Sequence, residues 1–258
     1  MVHATAERVQ KVLSRLGLAS RREAEAWIRA GRLSINGRAA TLGDRVEAGD
    51  QLRLDGRLIR QPSTPQATPV LLCHRSPGLA LLPGADGAES MATSLPRRLG
   101  QRFMSISPMP QVDGGLELLT ADGGLAGRLQ RAVRAQTILF SLRARGELTE
   151  VQRAGISAGV LDRGVTLRVP EIAEAGGSGS NRWYQITTVG ASGNDLRQLL
   201  ERQGVTISRL LRTQLGALQL ERALPRGRWR ELSAEEVSSL LQPPPLMDAA
   251  AGSPGSGQ

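Results

Sequence analysis

Arg8, Lys11 and Arg15 recur at spacings of three and four residues, which puts three cations on one face of a helix. Arg21 and Arg22 open a second helical pattern, where unpaired backbone N–H groups also point outwards. Arg29 and Arg32 lie near its end. Such groups offer neither a nucleophile nor a redox centre. They neutralise phosphate, and the planar Arg fork does so through two parallel hydrogen bonds. The charges converge on one helix–turn–helix edge, so a merely solvated helix face is the weaker reading.

The elements that must hold these residues are legible nearby. Val9, Val12, Leu13 and Leu16 form a helical apolar stripe closed by Gly17. Ser20 caps the next helix, and Glu23, three residues on, completes a capping box. That helix runs through Ala24, Trp27 and Ile28 to Gly31. Asn36-Gly37 signals a hairpin, and GDQLRLDGRLI alternates with period two around a second turn at Asp55-Gly56. Residues 7–59 therefore read as one small unit: helix, helix, short strands.

The whole chain has 258 residues, suited to two compact domains. Aromatic residues are 2%, so Leu, Val, Ile and Ala must fill the core. The net charge of +9 favours a polyanionic partner. Residues 1–62 hold 12 basic and 7 acidic side chains, so over half of that excess lies in a quarter of the chain. Lys11 is the only lysine, a skew that a GC-rich coding sequence explains without function. Cys73, in the apolar run VLLCH, reads as a core thiol, and a single cysteine excludes an internal disulfide. His3 and His74 are the only histidines, and no metal site is expected. The N-terminus has no signal-peptide pattern, and no apolar run reaches membrane-spanning length. The expectation is a cytoplasmic monomer with no membrane contact and no cofactor.

ERVQKVLSRLGLASRREAEAWIRAGRLSINGR, followed by LGDRVEAGDQLRLDG, resembles the S-four (alpha-L) RNA-binding domain. The resemblance implies that Lys11, Arg15, Ser20, Arg21 and Arg22 belong to an RNA contact face. Phosphate contacts of that kind supply affinity and position instead of base reading, and folded RNA is the natural target.

QPSTPQATP (61–69) reads as a linker. Residues 70–240 then mix strands and helices. VLLCHR, TILFSLRARG, RWYQITTV and TQLGALQL read as strands. LTEVQRAGISAGV is a helix entered at Thr149, NDLRQLLERQG a helix capped at Asn194, and LSAEEVSSLL a helix capped at Ser233. EAGGSGSN reads as a loop, and residues 241–258 as a disordered tail. The pattern implies an α+β fold on a mixed, largely antiparallel sheet. GLELLTADGGLAGRL (115–129) resembles the G-L-L-L-L-T-N-D-G-x-L-A-x-R-L segment of the RsuA/RluB/RluE/RluF-type pseudouridine synthases. Further matches run over 143–160, 196–220 and 224–237.

The resemblance implies a nucleophilic Asp in a G-R-L-D motif five residues before Gly115, and that position is Pro110. The motif reads Ser107, Pro108, Met109, Pro110, without a carboxylate. The family's reaction breaks the glycosidic bond of uridine and rejoins the base through carbon, using that carboxylate and no metal or organic cofactor. The Tyr of the family's K-T-Y becomes Ile138, after Gln136 and Thr137. The chain's one Tyr, Tyr184, falls on another strand. An Arg that pairs with the nucleophile matches Arg197, left without an evident aspartate. The family's N-K-P-x-G becomes His74, Arg75, Ser76, Pro77, Gly78. Asp113 is the fallback nucleophile, with Arg197, against an exposed turn residue in V-D-G-G. Asp122 reads as a turn residue or helix cap. Arg209 and Arg212 match positions where the family presents cations to RNA. Arg226, Arg228 and Arg230 alternate around Trp229, which reads better as a packed Trp than as a base platform.

Three readings stay open. The first is a catalytically inactive family member that binds structured RNA, ribosomal in kind, on a ribosomal subunit or assembly intermediate. The second is an active rRNA pseudouridine synthase using Asp113. The third is an S-four adaptor of stalled ribosomal complexes.

Overall fold

The computed structural model describes residues 6–16, 18–47, 49–59, 68–83, 89–95, 103–178 and 180–243. The N-terminal elements are β1 (Glu7–Arg8), α1 (Val9–Arg15), α2 (Arg21–Arg29), β2 (Leu33–Ile35), β3 (Arg38–Ala39), β4 (Arg45–Val46), β5 (Leu52–Leu54) and β6 (Arg57–Ile59). Gly17, the expected stop of α1, lies outside the described residues. The α2 capping box forms: Ser20 Oγ accepts from the Glu23 N–H at 3.2 Å, and Glu23 Oε2 accepts from the Ser20 N–H at 3.4 Å. Both expected hairpins form. Asn36 and Gly37 take φ of 49° and 82°, and Asp55 and Gly56 take 48° and 78°, the paired positive values of a type I′ turn. β3, β2, β5 and β6 make one sheet in that order, and β1 pairs with β4. Val9, Leu13, Ala24, Ile28, Leu33 and Leu52 pack beneath as a separate small core.

The rest of the chain contributes β7 (Val70–Arg75), β8 (Met104–Ser105), β9 (Gly114–Thr120), α3 (Gly123–Ala132), β10 (Thr137–Arg145), α4 (Glu150–Ala158), β11 (Arg168–Ser178), β12 (Asn181–Val189), α5 (Gly193–Arg202), β13 (Ile207–Leu215), β14 (Leu218–Gln219), β15 (Trp229–Glu231) and α6 (Ala234–Leu241). They form a nine-stranded sheet in the order β11-β12-β10-β13-β9-β7-β15, with β14 on β13 and β8 on β9. β9 and β13 run parallel, through Leu211–Gly114 and Arg212–Gly115, and the other named pairings are antiparallel.

Burial decides the sequence pattern of each strand. β10 alternates, with Ile138, Phe140, Leu142 and Ala144 buried under Leu199 of α5, Ile156 of α4 and their neighbours. β7 and β9 are covered on both faces, so VLLC and GLELL read as continuous apolar runs broken by one charge. Leu71, Cys73 and Leu119 pack with Met91 and Leu95 in a further cluster. Burial raises the Cys73 thiol far above its usual pKa, so it is an inert core group as expected.

Three local expectations are corrected. Residues 174–178 are strand, because β11 extends along β12 and only the tip beyond it turns. The cap of α5 is Ser192, not Asn194; its Oγ accepts from the Asp195 N–H at 3.2 Å in a capping box. The strand expected at 213–220 starts earlier, at Ile207, and Gly216 turns it back into β14. The linker residues 61–67 and the tail from 244 lie outside the described residues.

Gly115 sits where β9 begins its approach to β13, with φ of 98°. A Cβ there would collide with the backbone O of Arg212 and lie 2.8 Å from its N. Gly115→Ala should therefore destabilise the protein by about 1–3 kcal/mol, read as a lower urea midpoint at unchanged m-value.

Candidate nucleic-acid interface and catalytic cleft

Arg8, Lys11, Ser20, Arg21, Arg22, Arg29 and Arg32 are all exposed, and Arg15 is partly so. Their partners differ. Lys11 and Arg15 both reach Glu7, at 2.5 and 3.3 Å. The Lys11 contact, chiefly, holds the Glu7 carboxyl below its usual range. Arg29 lies 3.7 Å from Glu25. Arg32 grips Asp55 with two hydrogen bonds and lies over the Trp27 ring. Arg8, Arg21 and Arg22 have no acidic partner among the described residues. The helical spacing thus gathers the cations, but the tertiary contacts leave the freest charge at the start of α2. Ser20 itself is occupied as a cap. Beside it a cavity of about 320 Å³ opens between this unit and the β8 segment, lined by Ser14, Ser20, Phe103 and Met104 among others. α1 packs on α3 at the same seam.

Arg212 is a correction. It was expected on an RNA-facing surface, yet it is wholly buried. Its Nε donates to Leu116 O at 2.8 Å, Nη1 to Ser107 Oγ at 2.9 Å, and Nη2 to Ser107 O at 2.6 Å and Glu117 Oε2 at 3.1 Å. Arg209, three residues earlier, faces the opposite side of the strand and is partly exposed. Arg75 is as buried as Arg212. It ion-pairs with Glu117 Oε1 at 3.0 Å and donates to the carbonyls of Met109, Pro110 and Gln111. The Met109 N–H closes the set on Glu117 Oε1 at 3.0 Å. Burial pushes the Glu117 carboxyl up, against the pull first of Arg212 and then of Arg75. The sequence offered one signal for this centre: a lone Glu inside the apolar run GLELL.

These two guanidiniums hold the 107–111 loop chiefly by its backbone carbonyls, with the Ser107 hydroxyl as the one side-chain contact. Pro110, at the expected nucleophile position, offers one carbonyl oxygen, which accepts both from Arg75 Nη2 at 2.8 Å and from the Asp113 N–H at 3.0 Å. Met109 is buried, and it presses on the start of α5 so closely that a Cβ on Gly193 would strike its Sδ and come within 2.9 Å of Pro110 Cδ. Ile138, at the expected Tyr position, has no exposure. Tyr184 is buried on the neighbouring strand, where its hydroxyl accepts from the Leu148 N–H at 2.9 Å.

The expectation that Arg197 lacks an aspartate is overturned. Arg197 Nε donates to Asp113 Oδ2 at 2.7 Å and Nη2 to Oδ1 at 2.6 Å, while Nη1 reaches Glu201 at 2.7 Å. These contacts, Asp113 first, raise the Arg197 pKa. Asp113 is accordingly no exposed turn residue: it is fully buried and both its oxygens are engaged. Asp122 caps α3, accepting from the Gly124 and Leu125 N–H groups at 2.7 and 3.0 Å. Trp229 packs against the Leu71 cluster and donates to Ser94 O, as the packed reading expects. Arg230 bridges Glu221 and Glu236 at 2.8 and 2.7 Å.

The S4 domain family matches residues 7–52. Over 243 residues the chain is 36% identical to the ribosomal large subunit pseudouridine synthase B of Haemophilus influenzae, covering 93% of this chain and 68% of that protein. It is 37% identical over 238 residues to the synthase of the same description from Salmonella typhimurium, covering 91% and 82%. The chain belongs to the pseudouridine synthase family. A solved pseudouridylate synthase shares the fold, with a TM-score of 0.59 at 18% identity, covering 90% of this chain and 99% of that one. An N-terminal S4 domain and a pseudouridine synthase fold are thus both present. Among the described residues no helix is long and apolar enough to cross a membrane, and no group of His, Cys, Asp and Glu has the arrangement of a metal site.

Two outcomes follow from this geometry. Glu117→Gln leaves two buried guanidiniums without their counter-charge and should cost about 3–5 kcal/mol of stability, measured by urea unfolding. Replacing Arg21 and Arg22 by Ala should weaken binding to folded RNA and flatten its log–log salt dependence by ~0.7–0.9 per lost phosphate contact. An unchanged slope would mean that neither side chain touches phosphate.

Proposed function

We propose that this protein binds structured ribosomal RNA through its S4 domain and does not isomerise uridine. The observation that carries this reading is the absence of reactive side chains at the two expected catalytic positions. Pro110 occupies the expected nucleophile position, with Met109 packed on Gly193 and Ile138 buried where a Tyr is expected. Pro has no group that can attack C1′ or the base, and Ile has neither a hydroxyl nor a π face for the target. The relatives' description as large subunit synthases supports ribosomal RNA as the partner class. Freed of turnover, such a protein would act by occupancy, at a site on a ribosomal subunit or an assembly intermediate.

One observation favours a second reading, in which the enzyme is active. Asp113 meets Arg197 in a bidentate pair, the partnership expected of the family's nucleophile. Against it, both carboxylate oxygens are spent on the guanidinium and none of Asp113 is exposed. Attack would require the 109–113 loop to open against the hold of Arg75.

The deciding experiment incubates the full chain with large-subunit ribosomal RNA lacking pseudouridine and maps conversion by carbodiimide-adduct stops in reverse transcription. No conversion is expected. Conversion that disappears in Asp113→Asn would overturn the inactive reading. Introducing Pro110→Asp together with Ile138→Tyr into the inert protein should still yield no product while Met109 stays packed on Gly193.

A further inference from the structure

The face of the large sheet opposite Ile138 carries a cluster of cations that neither the expected catalytic positions nor the S4 domain uses. Arg143 of β10 lies directly between Trp183 of β12 and Arg209 of β13 in the pairing register. Residues opposed in this way share a face, so the three side chains form a row across adjacent strands about 4.8 Å apart. Arg143 stands over the Trp183 ring, 5.9 Å from its centroid. Two residues on, exposed Arg145 extends the row. A cavity of about 340 Å³ lies beside them, lined by Arg143, Arg145, Asn181, Thr206 and Ser208. Its polar walls are donors and hydroxyls, with no carboxylate among the lining groups.

The pairing of charges separates this row from its immediate neighbours on the domain. Arg182, next along β12, is bound to Glu147 at 2.8 Å, and Arg153 faces Glu174 at 3.7 Å. Arg143, Arg145 and Arg209 have no acidic partner among the described residues, and the Arg143 Nε is buried without a hydrogen-bond acceptor. Three guanidiniums held together without counter-charge repel one another, a cost that an anion removes. The Trp183 face fixes the Arg143 guanidinium in place, which lowers the ordering cost of binding.

We infer that this outer face is a second RNA contact, which takes the phosphodiester backbone of the bound RNA on Arg143, Arg145 and Arg209, with Asn181, Thr206 and Ser208 as supporting donors. The inference rests on the reading of the protein as an RNA binder. A phosphate chain suits the row better than a single anion, because the cations are spread along two directions of the sheet. The contact lies on the opposite sheet face from Ile138, so an RNA that also reached the expected catalytic positions would wrap around the domain edge.

The test compares full-length protein with Arg143→Ala/Arg209→Ala and with Arg21→Ala/Arg22→Ala, using purified large-subunit ribosomal RNA over a series of salt concentrations. Removing the outer pair should weaken binding and flatten the log–log salt slope by ~1.4–1.8 for two lost phosphate contacts. Arg143→Lys/Arg209→Lys, which keeps the charge, should restore most of the slope, a recovery that a merely structural role would not produce. Trp183 fluorescence should change on RNA addition, measured as the difference from Trp183→Phe. An unchanged slope in the outer variant while the Arg21/Arg22 variant flattens would overturn this contact and leave the S4 reading intact. No salt-dependent binding by the unaltered protein would overturn the RNA reading itself. Loss of slope in the lysine variant as well, with an unfolded circular dichroism spectrum, would assign the effect to folding and overturn the contact; Arg145→Glu, at an exposed position, should weaken binding with the fold intact.

Discussion

A single buried carboxylate organises the large domain. Glu117 lies between Arg75 and Arg212, with contacts of 3.0 and 3.1 Å and no exposure on any of the three. Two cations against one anion leave an excess positive charge in the interior, which would be prohibitive if bare. The chain meets that cost with carbonyls. Ser107, Met109, Pro110, Gln111 and Leu116 turn their backbone oxygens to the two guanidiniums. β7, β9, β13 and the 107–111 loop are thereby tied at one point, and that point is where the sheet has its parallel pairing.

The loop is gripped mainly by its backbone, through the carbonyls of Ser107, Met109, Pro110 and Gln111, so its hold on the domain needs no carboxylate at position 110. This explains how the fold of a pseudouridine synthase persists with Pro110 at the expected nucleophile position. The same decoupling leaves Arg197 in its place on α5, and Asp113 supplies the negative charge that it would otherwise lack. A charged group on a partly buried helix face needs a counter-ion or water, and the nearest carboxylate the loop can offer meets that need. The pair is as fully explained by electrostatic repair as by catalysis.

The surface follows another logic. Lys11, Arg15, Arg29, Arg32 and Arg38 lie against carboxylates, in exposed pairs worth little individually. Those pairs reduce the local field without removing it. At the start of α2 and on the outer face around Arg143, by contrast, cations stand close together without such partners. Positive charge at two separate places suits a long, folded polyanion better than a small ligand.

Much of this was legible from residues close together in the chain. The Ser20–Glu23 box, the Asn36-Gly37 and Asp55-Gly56 turns, the Thr149 and Ser233 caps and the alternation of β10 depend on neighbours within a few positions, so local chemistry suffices to specify them. The S4 and synthase segments, and the absence of a carboxylate or Tyr at positions 110 and 138, were also determined by sequence alone. Only the tertiary structure decided where each charge goes. Arg209 and Arg212 look equivalent in the sequence, but a three-residue step on a strand turns one outward and the other into the core. Asp113 and Arg197 stand 84 positions apart, and Arg75 and Glu117 stand 42 apart, so their pairing is a product of how the strands are ordered in the sheet. A side chain's burial and its counter-ion are properties of that packing, which no spacing along the chain encodes.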